Sequence, residues 1–189
     1  MGFNYTNAPN CDIRIIQASP RGTGSTVATN LLHGLLCPSC PYRTSSLSQP
    51  LDYLVTKTHN INFDGWEKIF SLKHQLYFVS TERDHKISLN NKSKIMVIPY
   101  QKILETETYG LHSIVDYFYD MCRNFLPEKF FIKNELDIKR DMFKRVDDMN
   151  KLYEEIKNRS FHKCHNKFFG IHGSHRDRKS KGYYSKHKK

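Results

Sequence analysis

Apolar and polar positions follow two different periods along this chain. Ile13, Ile15, Ile16 and Ala18 make a short apolar run, and Val27, Leu31, Leu32, Leu35 and Leu36 recur at helical spacing some ten residues later. Between them lies a Gly, Ser and Thr-rich stretch, so the pattern predicts strand, tight loop and helix. Residues 37–50 are a Pro and Ser-rich connector with no regular period. A short strand is expected at 53–55, then a helix N-capped by Asp64 that turns Trp66, Ile69 and Phe70 to the core. The continuous apolar runs at 76–79 and 95–98 have the character of buried parallel strands. Beyond Gly110 a stripe of Leu111, Ile114, Val115, Phe118, Met121, Cys122 and Phe125 stops before Pro127. A second stripe from Asn134 carries Ile138, Met142, Val146, Met149, Tyr153 and Ile156. Both stripes read as core packing. Strands alternating with helices predict an α/β fold: three layers, with a short parallel sheet flanked by helices.

Composition sharpens this picture. The 189 residues are 38% hydrophobic and include twelve Phe and eleven Tyr, enough for one domain with a real core. The net charge of +11 is uneven: residues 160–189 hold nine of the 30 Lys and Arg but one of the 19 acidic side chains. This divides the chain into an α/β body, 1–159, and a basic segment, 160–189, expected to be partly flexible. In that segment Phe168, Phe169, Tyr183 and Tyr184 interleave with cations, which suits stacking on bases and contact with phosphates, so nucleic acid is a candidate partner. No run of eighteen apolar residues and no basic start with an apolar h-region is present, which predicts a soluble, cytoplasmic protein without a membrane span. Gly2 and Thr6 match a myristoylation pattern, though Phe3 is bulky there. Five cysteines and no secretory signal predict reduced thiols. Cys37 and Cys40 form half of a zinc knuckle, whose other half would come from His162, Cys164 and His165.

The loop itself is the candidate chemistry. A helix that starts right after it leaves N–H groups free and places the positive end of its dipole there, so an anion such as phosphate or sulfate is the natural guest. Ser19 to Thr26 has the length of the G-x-x-x-x-G-K-[ST] loop, but Ser25 stands in place of the lysine and Ser19 in place of the first glycine. Nucleotide hydrolysis and kinase chemistry are therefore disfavoured.

Pro20-Arg21, a glycine and then Ser25-Thr26 at a helix head resemble a different group, the PAPS-dependent sulfotransferases. Lys57-Thr58-His59, at the end of the next strand, is similar to the Lys-Thr-His of many cytosolic members. The resemblance covers residues 12 to about 100 and implies a P-loop-like fold with PAPS, or its product PAP, as cofactor and no metal. It implies that Ser19, Pro20, Arg21, Gly22, Thr23, Gly24, Ser25 and Thr26 hold the 5′-phosphosulfate. His59 would be the general base, and Lys57 with Arg21 would steady the group in transfer to a hydroxyl of a small molecule, glycan or protein. Arg83 and Ser88 would meet the 3′-phosphate, with Arg176, Arg178 and His172 in a basic loop closing over it. The chain departs from the family in an extra glycine, Gly22, in a Ser88 that comes early, and in its short length. Two alternatives stand beside this reading: a nucleic-acid or polyanion binder acting through residues 160–189, and a P-loop-like relative that is a nucleotide kinase or catalytically inactive.

Overall fold

A computed structural model of the chain describes residues 12–21, 23–82, 95–105, 110–158 and 168–171. Four strands, β1 (Ile13–Ala18), β2 (Val55–Thr58), β3 (Gln75–Glu82) and β4 (Ile95–Pro99), form one sheet in the order β2-β1-β3-β4, with every pairing parallel. The fold is α/β, as expected. After β2 the chain crosses to the other side of β1, so a change of direction in strand order lies between β1 and β3, where ligand crevices form outside the carboxyl ends of parallel strands.

The helices are α1 (Ser25–Leu36), α2 (Phe63–Phe70), α3 (Tyr100–Leu104), α4 (Leu111–Phe125) and α5 (Glu135–Asn158). β1 is buried along its whole length, with Ile13 and Ile15 facing α1 and Ile16 and Ala18 facing α2. The larger core lies between the sheet and α1, α4 and α5; the smaller one gathers Phe63, Trp66, Phe70 and Phe78 under α2. Helix α1 is sandwiched between the sheet and α5. Its Gly34 lies so close to α5 that a Cβ there would come within 2.5 Å of the Met142 Cα, so the crossing needs hydrogen at that position.

The predicted elements are present with revised limits. β2 runs over 55–58 rather than 53–55: Tyr53 is exposed, and Lys57 and Thr58 continue the strand because their backbones pair with Gln17 and Ala18. β3 likewise extends through Ser80 and Thr81. Asn62, not Asp64, caps α2, its Oδ1 accepting from the Gly65 N–H at 2.9 Å, and Ile69 is 48% exposed rather than in the core. Both long helical stripes fold as read up to Tyr153, the Ile156 side chain lying outside the described burial, and Asn134 Oδ1 accepts from the Leu136 N–H at the head of α5. Cys37 and Cys40 are joined by a disulfide, which corrects the expectation of reduced thiols for this pair, whereas Cys122 is a free thiol and Cys11 and Cys164 lie outside the described residues. Among the described residues no helix is long and apolar enough to cross a membrane, and no group of three His, Cys, Asp or Glu is placed to hold a metal ion. His162, Cys164 and His165, and also Gly2 and Thr6, lie outside the described residues.

Candidate functional site

The loop after β1 is shaped by side chains that the sheet supplies from below. Ser19 is fully buried, and its Oγ accepts from the Thr81 N–H at 2.7 Å and from Gln17 Nε2. Thr23 Oγ1 donates to the Pro20 carbonyl at 2.8 Å and pairs with Thr81 Oγ1 at 2.7 Å. Thr29 Oγ1 approaches Gln17 Oε1 at 3.3 Å and donates to the Ser25 carbonyl at 2.7 Å. These hydroxyls and the Gln17 amide bond one another, which satisfies the buried polar groups and holds the carboxyl ends of β1 and β3 together. Ser19 and Thr23 therefore shape the loop from beneath.

Gly24 adopts φ 76°, a left-handed turn that lets the chain enter α1 directly. A Cβ there would meet Ile103 Cδ1 at 2.6 Å, so α3 presses on the loop from the β4 side. No side chain caps α1, no acidic residue occupies its first turn, and the first helical bond runs from the Ala28 N–H to the Gly24 carbonyl. The N–H groups of Ser25, Thr26 and Val27 thus have no intrahelical acceptor.

Lys57 and His59 come to this same end of the sheet. Lys57, 4% exposed, donates from Nζ to Thr26 Oγ1 at 3.1 Å and lies 5.4 Å from the centre of the Tyr42 ring. It brings an ammonium to the first turn of α1. His59 is exposed, and its Nδ1 is 2.9 Å from the Ser19 carbonyl. A carbonyl only accepts, so Nδ1 carries the proton and Nε2 is the basic nitrogen of the neutral ring. Arg21 is exposed on the turn above the loop, beside Pro20.

Of the residues singled out from sequence, Ser19, Pro20, Arg21, Thr23, Gly24, Ser25, Thr26, Lys57 and His59 are thus gathered at one edge. Gly22, Arg83, Ser88, His172, Arg176 and Arg178 lie outside the described residues. Three members of the polar floor were not singled out: Gln17, Thr29 and Thr81. For Gln17 and Thr81 the one sequence signal is polarity near the end of an apolar strand, as in Ser80-Thr81; Thr29, inside α1, carries none.

Part of the stretch read as a basic tail packs on the body. Ile171 is 3% exposed within the larger core, and the Phe168 carbonyl accepts from the Tyr42 N–H at 3.0 Å. The guanidinium of Arg145 lies 4.0 Å from the Phe168 ring centre and 5.1 Å from that of Phe169. These two rings, expected to stack on bases, flank the Arg145 guanidinium, with Phe168 still 36% exposed, while Tyr183 and Tyr184 lie outside the described residues. Comparison of the chain with protein-family models, curated proteins and solved structures returned no match.

Proposed function

We propose that the protein is a sulfotransferase-like enzyme with a P-loop-like domain, transferring a sulfuryl group from PAPS to a hydroxyl acceptor. The observation that carries this reading is the meeting of two motifs more than thirty residues apart in sequence: Lys57 bonds Thr26, and His59 bonds the Ser19 carbonyl. An anionic donor fits this edge, because uncapped N–H groups and an ammonium converge on it with no carboxylate in the first helical turn.

PAPS, when bound, supplies the sulfuryl group. In this reading the backbone N–H groups of Ser25, Thr26 and Val27, with Lys57 and Arg21, hold the 5′-phosphosulfate and neutralise charge on the oxygens around the transferring group. His59 takes the acceptor's proton at Nε2, while the Ser19 carbonyl fixes its tautomer and orientation. The proposed reaction requires no metal, and the acceptor is a hydroxyl of a small molecule, glycan or protein.

Thermal unfolding with PAP, compared with ATP and magnesium, tests the reading. PAP at about a hundred times its Kd is expected to stabilise the protein by roughly 2.7 kcal/mol, and Arg21→Ala or Lys57→Ala to reduce that response. With an acceptor in hand, His59→Ala is expected to slow turnover about a hundredfold with donor affinity almost unchanged. A folded protein that ignores PAP would sink the proposal, and a shift with ATP and magnesium alone would redirect it to kinase chemistry.

A further inference from the structure

The opposite end of α1, about 18 Å from the loop at 1.5 Å per residue, carries a second constellation that the proposed sulfuryl transfer does not use. Cys37 caps the helix, the Cys40 N–H donates to the Cys37 carbonyl at 2.9 Å, and the two residues are joined with their Cα atoms 5.4 Å apart. One helical turn earlier stands His33, 2% exposed, and neither of its ring nitrogens has a hydrogen-bond partner. His33, Cys37, Cys40, Arg43 and Tyr53 line one partly open cavity of about 40 Å³. That is room for a water or two, or for the hydrogen of a thiol.

We propose that Cys37 and Cys40 form a reversible dithiol–disulfide couple that exchanges with thiols. Such a bond closes a loop of only four residues, so it constrains the unfolded chain less than a long-range bridge and is a weak structural staple. A buried imidazole with no partner calls for an explanation. The oxidised sulfurs offer it little, whereas reduction supplies an S–H to donate to the ring and a sulfur to accept from it. The orphaned ring thus favours the reduced pair. Arg43, stacked 4.7 Å from the Tyr53 ring centre, adds a cation at the cavity wall that favours a thiolate.

The exchange is balanced as follows. An incoming thiolate attacks one sulfur, forming a mixed disulfide and expelling the other sulfur as a thiolate, which takes a proton. A second thiolate then attacks the mixed disulfide at the external sulfur, the external disulfide departs, and the remaining protein thiolate is protonated. Two external thiols are oxidised to one disulfide, and the Cys37–Cys40 bond is reduced to two thiols.

The test uses the full chain equilibrated in graded mixtures of reduced and oxidised glutathione and alkylated at neutral pH with the fold intact, with labels located by peptide mass spectrometry. Cys37 and Cys40 are expected to become labelled together, with a half-conversion point inside the glutathione range. Cys122, which is fully buried, stays unlabelled as a witness of the folded state. His33→Leu is expected to move the half-conversion point at least threefold toward the reducing side. If that variant fails to fold, the wild-type titration with its Cys122 witness decides. The proposal is overturned if Cys37 and Cys40 are labelled equally at every ratio, if they open only together with Cys122, or if one zinc ion per chain shields both from alkylation.

Discussion

Acidification from pH 6.5 to pH 3 is expected to cost the protein on the order of 5 kcal/mol through His33 alone. Burial, with a smaller contribution from the Arg145 guanidinium, lowers the His33 pKa from 6.5 to about 3. The folded state keeps the ring neutral while the unfolded chain protonates it near pH 6.5. Stability from this group is therefore fully present above pH 6.5 and is lost as pH falls toward 3, at about 1.4 kcal/mol per unit. Denaturant unfolding from pH 7 to pH 3 measures the loss, and His33→Leu isolates it from the carboxylates that titrate in the same window. The variant should keep a flatter acid limb. An acid limb identical to that of the wild type would show that His33 is not held neutral in the fold.

Arg145→Ala is expected to destabilise the fold by roughly 3 kcal/mol or more, the scale of removing a buried side chain together with the donor to Asn30 Oδ1 and the Pro38 carbonyl. Arg145 is 4% exposed and donates to Asn30 Oδ1 at 3.1 Å, the Pro38 carbonyl at 2.6 Å and the Phe168 carbonyl at 2.8 Å. It ties α5 to α1, to the turn between the two cysteines and to residues 168–171. Burial lowers its pKa to about 10, so it stays charged at neutral pH and its partners are one side-chain amide and two backbone carbonyls. For a chain of this size the loss corresponds to a fall in Tm of about 6–12 °C. Hydrogen exchange separates local from global effects. The Tyr42 amide, which donates to the Phe168 carbonyl, should lose protection before the amides of β1 and β3 do. Arg145→Lys should recover only part of the loss, since a single ammonium cannot span three acceptors set around a planar fork. A variant within 1 kcal/mol of the wild type, with Tyr42 still protected, would contradict the clamp.

The buried polar residues of α1 explain why these two positions matter. A helix packed between a sheet and other helices has no solvent face, so each of its polar side chains must find a partner inside. Thr29 donates to the Ser25 carbonyl and lies 3.3 Å from Gln17 Oε1. Asn30 donates to the Thr26 and Phe169 carbonyls and accepts from Arg145. His33 is the exception, and it lines the cavity beside the disulfide.

Periodicity along the chain was enough to read the strand, loop and helix at 13–36, the parallel character of β3 and β4, and both long helices. Those patterns record which side chains avoid water, and that preference acts residue by residue. Lys57 and His59 were singled out differently, through the resemblance of Lys57-Thr58-His59 to a family motif rather than through any period. Strand limits at Lys57, Thr58, Ser80 and Thr81 were not legible, because polar residues continue a strand when a neighbouring backbone pairs with them, and the pairing partner is remote in sequence. The same holds for the Asn62 cap, chosen over Asp64 by backbone geometry. The placement of Lys57 on Thr26, of Thr81 under Ser19 and of Arg145 across Asn30, Pro38 and Phe168 joins residues 23 to 115 positions apart. Such contacts come from the order β2-β1-β3-β4 and the seating of α5 on α1, since hydrogen bonds of this length depend on distance and direction in space, which the packing of the whole chain sets.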